Sequence, residues 1–392
     1  MFLLILYASG VKSVSNSFLK TIVPLSLIFI LGFIGSFFYQ NNSIDVVKDC
    51  LYFSKPVIGI LLGYFVFKAI NDQFLFFKTF IFLALFCASI HLFGIVFFSN
   101  LNKTSINDLR SDFGFDNFLE IFGFFFLIML PKSNIQPIFK NDLARKIIII
   151  ILFISISLYL SRTMILMMLV LTISFLGFTR LNQKSIKILA FFFSISLVFV
   201  LILNSIKIDR NTKGIEALFY KIKMAPGEVF NSKIDSDDHK QLWDHWRAYE
   251  AKRALSLMEG YKFSVITGTG FGSLVNLKFM APLSEKKMKY ISRLHNGYVF
   301  IFYKTGIFGL LLYLIFLFSL YLKIYVNSKN QDVILFAKII SSIGVFYFIS
   351  TLIITGLYIS KDILVFVLGG ALFFYNQIIL NPLGVIIKSK IS

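Results

Sequence analysis

The stretch RLHNGYVFIFYKTGIFGLLLYLIFLFSLYL, residues 293–322, decides the fold class of this chain. Its first residues include Arg293, His295 and Asn296, and from Gly297 onward only Lys304 is charged. A helix of about 20 mainly apolar residues is long enough to cross the hydrocarbon core of a bilayer. The stretch therefore predicts a transmembrane helix that begins at the membrane surface with a His-Asn pair.

Similar apolar stretches recur from one end of the chain to the other. Hydrophobic residues make up 57% of the 392 residues and charged residues only 15%, which excludes a soluble globular domain. Met1–Ala8 is too short to cross the membrane alone. Runs near or above spanning length cover 18–38, 51–70, 74–98, 115–131, 186–204, 297–322, 333–357 and 361–381, and Ser161-Arg162-Thr163 divides the longer run 146–179 into two. We expect an all-α polytopic integral membrane protein with about 11 (10–12) transmembrane helices and one long, partly helical periplasmic loop.

The positions of Lys and Arg predict the orientation of these spans. If the long loop 205–296 is outside, the short connections that remain inside are the ones enriched in Lys and Arg. The chain then divides into N-terminal transmembrane helices (1–204), the loop (205–296) and C-terminal transmembrane helices (297–392), with a cytoplasmic C-terminus. The net charge of +19 is mostly a consequence of this topology, so no nucleic acid is expected as a partner.

Cysteine and histidine spacing gives no sign of a metal site. Cys50 lies near the outer surface and Cys87 inside a span, so a disulfide between them is not expected. The chain has no CxxC or HExxH motif. We expect no bound metal.

The loop 205–296 concentrates residues that can do chemistry. It contains three of the four histidines and both tryptophans of the chain. Residues 236–258 predict a helix capped by Ser236 or Asp237, with Trp246, Tyr249 and Met258 at helical spacing. Such a helix can simply anchor the loop in the membrane interface, or it can also present Arg247 to a ligand.

Gly268-Thr-Gly270-Phe-Gly272 predicts a tight turn after this helix. Its backbone amides could approach a phosphate, but neither a preceding strand nor a following Lys-Ser/Thr supports a nucleotide-binding loop. A structural turn is therefore favoured. Gly268 and Gly270, together with Arg253 and Arg293, are candidates for a supporting role only.

His295 and Arg162 are the two positions where a functional role competes with a structural one. An imidazole in general titrates near neutral pH and suits a general base, with Asn296 orienting it, although a His-Asn pair can equally cap a helix. Arg162 lies between two strongly apolar runs, on the same outer side as the loop. It can reach out to water at a helical turn, or it can hold an anion such as a diphosphate by two parallel hydrogen bonds.

The order of these motifs resembles the O-antigen ligase family, which also contains Wzy-type polysaccharide polymerases. The resemblance covers about residues 145–325: Ser-Arg at an outer turn, an Arg-bearing loop helix, a Gly-x-Gly turn, and His295-Asn296 followed by Gly306-Ile-x-Gly309. It implies transfer of a glycan from an undecaprenyl-diphosphate-linked donor at the periplasmic face of the bacterial inner membrane, without metal or other cofactor. By matching of motifs, His295 corresponds to the catalytic base, and Arg162 and Arg247 to the arginines that hold the donor diphosphate.

One position departs from the family pattern. The family usually has an acidic residue two positions before the glycine that corresponds to Gly306, and this chain has Lys304 there. The departure puts in doubt any role assigned to that acid. It leaves the histidine and the two arginines in place.

Three functions remain open at this point. The first is an inverting, metal-independent ligase that moves a finished glycan onto a lipid A–core acceptor. The second is a Wzy-type polymerase that extends carrier-linked repeat units, together with a chain-length regulator. Either acceptor would meet the loop around 205–240 and 273–293. The third is a transporter of an anionic lipid or solute, which would carry its essential residues within the spans rather than in the loop.

Overall fold

A computed structural model of the chain describes residues 14–98, 114, 117–208, 214–230, 239–283, 286–359 and 362–380. Helices occupy most of the described chain. Seven of them precede the long loop: α1 Asn16–Phe38, α2 Ser43–Ile70, α3 Gln73–Phe98, α4 Asn117–Met129, α5 Asp142–Leu158, α6 Arg162–Phe175 and α7 Gln183–Ser205.

The loop is folded, and three further helices follow it. It contains α8 Gly214–Phe230, α9 His239–Met258, α10 Ser264–Thr267, and the strands β1 Val275–Leu283 and β2 Lys286–Ile291. The chain then forms α11 Gly297–Tyr321, α12 Gln331–Ile353 and α13 Leu364–Leu380. Short 3-10 helices lie at Leu130–Lys132, directly after α4, and at Leu322–Tyr325 and Gly356–Tyr358.

Six of the described helices are long and apolar enough to cross a membrane: α1, α2, α3, α7, α11 and α12. Helices α6 and α13 are apolar but shorter. The protein is therefore a helical, multi-pass membrane protein. The number of about 11 crossings stays a prediction, as does the division at residues 204 and 296, and the N-terminal run Met1–Ala8 and the N-cap candidates Ser236 and Asp237 lie outside the described residues.

The longest apolar run is interrupted at the position that the sequence predicts. Helix α5 ends at Leu158, and α6 begins at Arg162 with Ser161 as its N-cap residue. Leu160, between the two helices, has a left-handed backbone with φ of 42°. This break places Arg162 at the first position of α6.

Helices α2 and α13 pack closely along their length. A side chain at Gly63 of α2 would collide with the carbonyl of Phe366, and one at Gly369 of α13 would collide with the carbonyl of Ile60. Small residues at such crossings let two backbones approach, which is how helices associate in a bilayer. In contrast, only 6% of the apolar window of α7 is buried against the rest of the protein, as expected for a helix that faces lipid.

Helix α11 has a kink that receives the glycine turn of the loop. Gly306, inside α11, has φ of 66° and ψ of −166°, a conformation that glycine adopts without strain. Because this kink interrupts the helical ladder, the carbonyls of Tyr303 and Lys304 accept hydrogen bonds from the amides of Thr269 (2.8 Å) and Gly270 (3.0 Å). The turn 268–272 thus supplies the donors that the kinked helix lacks.

The same turn is fixed to the N-terminal helices. The amide of Phe271 donates to the carbonyl of Gly32 in α1 at 2.9 Å, and Asn41 donates its side-chain amide to the carbonyls of Thr269 and Phe271. Gly270 lies so close to Gly35 that a side chain would collide with that backbone. The turn therefore joins the loop to α1 and α11.

The hairpin in the loop was not predicted from the sequence. Strands β1 and β2 are antiparallel, with Val275 opposite Ile291 and Leu283 opposite Lys286, and their register is irregular between Asn276 and Ala281. Apolar and polar residues alternate from Val275 to Phe279, which is a strand signal that the sequence analysis did not use. The helical fold class is confirmed, and within the described residues it is accompanied by this two-stranded sheet in the loop.

Candidate active site

Arg162 projects from the helix break into the folded loop. Its Nη1 donates to Oε1 of Glu228 at 2.7 Å and to the carbonyl of Lys221 at 2.8 Å, and its Nη2 donates to Oε2 of Glu228 at 2.5 Å. Both acceptors belong to α8. This is the two-pronged geometry in which a guanidinium holds a carboxylate or a phosphate.

Arg247 reaches the same carboxylate from α9. Its Nη1 donates to Oε2 of Glu228 at 3.0 Å. The Glu228 side chain is only 10% exposed, whereas those of Arg162 and Arg247 are 21% and 27% exposed. The two arginines that the sequence assigns to a diphosphate therefore converge on one anion, and that anion is a glutamate which the sequence analysis did not identify.

The electrostatics around Arg247 show how close the two cations are. Burial and then the neighbouring Arg162 lower the pKa of the Arg247 guanidinium, while Glu228 and Glu250 raise it. Two desolvated cations repel each other, and an anion between them offsets this repulsion. The cluster is thus built to hold negative charge.

His295 is held by a second glutamate of α9. Its Nδ1 lies 2.9 Å from Oε2 and 3.1 Å from Oε1 of Glu250, and its backbone amide donates to Oε2 at 3.0 Å. A carboxylate accepts hydrogen bonds, so in the neutral form of the imidazole Nδ1 carries the proton and Nε2 has the lone pair. The His295 side chain is 49% exposed and that of Glu250 is 3% exposed. A buried carboxylate therefore holds the imidazole, while about half of the His295 side chain stays accessible.

One face of α9 carries both clusters. Arg247 and Glu250 are three residues apart, a spacing that puts their side chains on the same side of a helix. Trp246, Ala254 and Met258 are buried, and Tyr249 donates to the carbonyl of Leu277 in β1 at 2.5 Å. Packing against the hairpin therefore fixes the helix that carries the site.

Asn296 caps helix α11. Its side-chain oxygen accepts a hydrogen bond from the amide of Val299 at 3.2 Å. A cap of this kind satisfies one of the free amides at a helix start. Asn296 therefore fixes the position of its neighbour His295 through the backbone, and its proposed part in catalysis remains a prediction.

The four supporting candidates contact other parts of the protein. The guanidinium of Arg293 stacks over the ring of Tyr52 with 4.4 Å to the centroid, and Arg253 donates to the carbonyl of Asn276 at 3.1 Å and to Ser256 Oγ at 3.0 Å. The amides of Gly268 and Gly270 donate to the carbonyls of Ser264 and Lys304. These amides are engaged within the protein, as a structural turn requires.

Lys304 pairs with an acid from another helix. Its Nζ lies 2.6 Å from Oδ2 of Asp49 in α2 and 2.5 Å from the carbonyl of Ser273, and both charged side chains are fully buried. The same Oδ2 accepts the amide of Gly272 at 2.7 Å. The position at which this chain departs from the family pattern thus carries a cation whose partner acid comes from α2.

The comparison with known proteins assigns the part of the chain that contains this site. Residues 147–314 match the family model Wzy_C, described as O-antigen ligase. This part of the chain belongs to the O-antigen ligase family. Neither a curated protein nor a solved structure matches the chain. The match supports a membrane glycan transferase of ligase or polymerase type.

Both clusters lie within the O-antigen ligase segment. Arg162, Arg247 and His295 were singled out from the sequence, whereas Glu228 and Glu250 were not. Glu250 had a usable signal, because it follows Arg247 by three residues on a predicted helix. Glu228 had none, because Pro226 and Gly227 directly before it are typical of a turn, although the structure places them inside α8.

Proposed function

We propose that this protein is an O-antigen ligase that transfers a glycan from undecaprenyl diphosphate to lipid A–core at the periplasmic face of the bacterial inner membrane. One observation carries the proposal. Helix α9 presents Arg247 to the Arg162–Glu228 pair and, one turn later, Glu250 to His295. An anion site and a base are thereby held by one rigid element, as a transferase with a diphosphate leaving group requires.

In this proposal the donor diphosphate exchanges with the Glu228 carboxylate. A diphosphate offers the same oxygen acceptors as a carboxylate and more negative charge, so it can take over the hydrogen bonds of Arg162 and Arg247. The hydrogen bond from Arg162 to the carbonyl of Lys221 does not involve Glu228, so it can keep α8 in place during the exchange. In the absence of the donor, the Glu228 carboxylate offsets part of the positive charge of Arg162 and Arg247, so the site stays folded.

His295 acts as the general base of the proposed reaction. The acceptor hydroxyl attacks the anomeric carbon of the donor sugar, and Nε2 of His295 takes the proton of that hydroxyl. The bond between the anomeric carbon and the diphosphate oxygen breaks, and its electron pair goes to the diphosphate. In-line attack inverts the anomeric configuration, and Glu250 stabilises the imidazolium that forms.

The two guanidiniums supply the charge neutralisation of the leaving diphosphate. Fixed cations aimed at developing charge are among the largest contributions to catalysis. With this pair in place, the proposed reaction includes no metal ion or other cofactor.

The glycans of a strain that lacks this chain test the proposal. For a ligase we expect full-length polymer that remains on the lipid carrier, with bare core at the surface. Core that carries a single repeat unit would instead establish a polymerase. An unchanged glycan profile would contradict both and favour the transporter.

Complementation assigns the result to the site. The strain is supplied with the natural protein or with His295→Ala, each inserted in the membrane at the same level. We expect the natural protein to restore capped core and His295→Ala to fail. Full restoration by His295→Ala would rule out the proposed base.

A further inference from the structure

A buried polar cluster lies in the helices next to the break that carries Arg162. Ser155 Oγ donates to Oε2 of Glu120 at 2.6 Å, and the hydroxyl of Tyr159 donates to Oε1 at 2.8 Å. Nδ1 of His91 lies 2.9 Å from Ser155 Oγ. Glu120, His91 and Ser155 are fully buried and Tyr159 is 2% exposed.

Such a cluster is costly inside a bundle of largely apolar helices. An ionisable side chain at membrane depth is rare unless it is paired and serves a purpose other than packing. Three apolar side chains could join α3, α4 and α5 at lower cost, since buried polar groups are often no more stabilising than well-packed apolar ones. The geometry around Tyr159 indicates what the cluster achieves.

Tyr159 is fixed on two sides. Glu120 accepts from its hydroxyl, and the imidazole of His91 stacks on its ring with centroids 3.8 Å apart and an interplanar angle of 21°. Tyr159 is also the C-cap residue of α5, directly before Leu160. The Tyr159 side chain, at the end of α5, is therefore held in one orientation.

The backbone after Tyr159 needs such a constraint. Leu160 is a non-glycine residue with φ of 42°, a strained conformation that persists only where the surroundings impose it. Ser161, the N-cap residue of α6, makes no side-chain capping bond. Only Leu160 and Ser161 separate Tyr159 from Arg162 in the chain.

We propose that Glu120 and Tyr159 are positioning residues for Arg162, which fix the helix break so that its guanidinium faces the donor diphosphate. This proposal rests on the proposed function, because it assumes that Arg162 holds the donor. The influence passes from Tyr159 through the backbone of residues 159–162. His91 contributes by packing on the Tyr159 ring.

A double-mutant cycle with purified protein in lipid nanodiscs tests this role. Tyr159→Phe removes only the hydroxyl, so we expect the KM for the lipid-linked donor to rise about tenfold, with kcat and the acceptor KM unchanged. In an Arg162→Ala background the same substitution should have no further effect on the donor KM, because the guanidinium that it positions is gone. Equal effects in both backgrounds would show that Tyr159 acts independently of Arg162 and would overturn the proposal.

Tyr313→Phe is the matched control. Tyr313 is fully buried and its hydroxyl is bonded to Thr351 Oγ1 at 2.7 Å, but it belongs to α11 rather than to the break. We expect no change in the donor KM. If the donor KM of Tyr313→Phe rose as much as that of Tyr159→Phe, loss of any buried hydrogen bond would explain the effect, and the proposal would be overturned.

Glu120→Gln and Glu120→Ala complete the experiment. Gln retains an oxygen that can accept from Tyr159, so it should keep the donor KM within about threefold, whereas Ala should match or exceed Tyr159→Phe. If Arg162→Ala itself leaves the donor KM unchanged, the donor role of Arg162 fails, and the positioning role fails with it. If Arg162→Ala raises the donor KM and Tyr159→Phe does not, only the positioning role fails.

Discussion

Glu228 sets the charge of the proposed donor site, because its carboxylate lies between Arg162 and Arg247. We expect Glu228→Gln to bind inorganic diphosphate about tenfold more tightly than the natural protein, since the substitution removes the charge with which the ligand competes. Calorimetry on the purified protein measures this affinity. Glu216→Gln removes the same charge from an exposed position of the same helix and should leave it unchanged.

The sign of the Glu228 effect separates two roles. A carboxylate that merely holds the arginines in place would weaken diphosphate binding when it is replaced. Tighter binding is expected only if the glutamate occupies the place of the ligand. Weaker binding would therefore contradict the proposed exchange.

Glu250 determines which nitrogen of His295 can act as a base. We expect Glu250→Gln to lower kcat about 100-fold or more while the affinity for the donor changes little, because the imidazolium loses its counter-charge and the imidazole its fixed tautomer. Single-turnover rates with the donor bound measure the chemical step. Glu259→Gln, an exposed position just beyond α9, is the control and should retain the natural rate.

The opposite pattern of effects for Glu250→Gln would assign Glu250 to the donor site. If the donor affinity fell and the single-turnover rate did not, Glu250 would belong to the donor site and not to the base. The two carboxylate oxygens of Glu250 lie 2.9 and 3.1 Å from Nδ1 of His295, where they accept its proton in a hydrogen bond, and this contact favours a role in the base.

At the scale of elements, the buried Lys304–Asp49 pair holds α2, α11 and the glycine turn together. We expect Lys304→Met to destabilise the protein by about 3–5 kcal/mol, because it leaves the Asp49 carboxylate buried without its counter-ion. Thermal unfolding in detergent detects such a loss. Adding Asp49→Asn should recover part of it, since the unpaired charge is then removed.

Lys48→Met provides the comparison for this substitution. Lys48 is 56% exposed and pairs with Asp45 at 2.9 Å, so its loss should leave the melting temperature nearly unchanged, because solvent screens an exposed ion pair. Equal melting temperatures for Lys48→Met and Lys304→Met would show that the buried pair does not stabilise the turn.

At the scale of the whole molecule, the proposed function requires the loop helices and His295 to lie on the periplasmic side. In a protein without its natural cysteines, we expect Lys252→Cys in α9 to react with a membrane-impermeant maleimide from the periplasm. Lys329→Cys, between α11 and α12, should react only after the inner membrane is opened. Both positions are exposed, so accessibility depends on the side of the membrane.

The reverse labelling pattern would place the site in the cytoplasm. The acceptor named in the proposal would then be out of reach. Labelling of both positions from the periplasm would contradict the number of spans between them.

The sequence by itself determined that this is a helical membrane protein, that its long apolar run breaks at Ser161-Arg162, and that His295 directly precedes a helix long and apolar enough to cross a membrane. These properties are local, because the length of an apolar run and the residues at its ends decide where a helix can cross a bilayer. Only the tertiary structure decided the partners: Glu228 lies 66 residues from Arg162, Glu250 lies 45 from His295, and Asp49 lies 255 from Lys304. These pairs form because segments far apart in the chain pack together, and the periodicity of the sequence does not predict which segments do so.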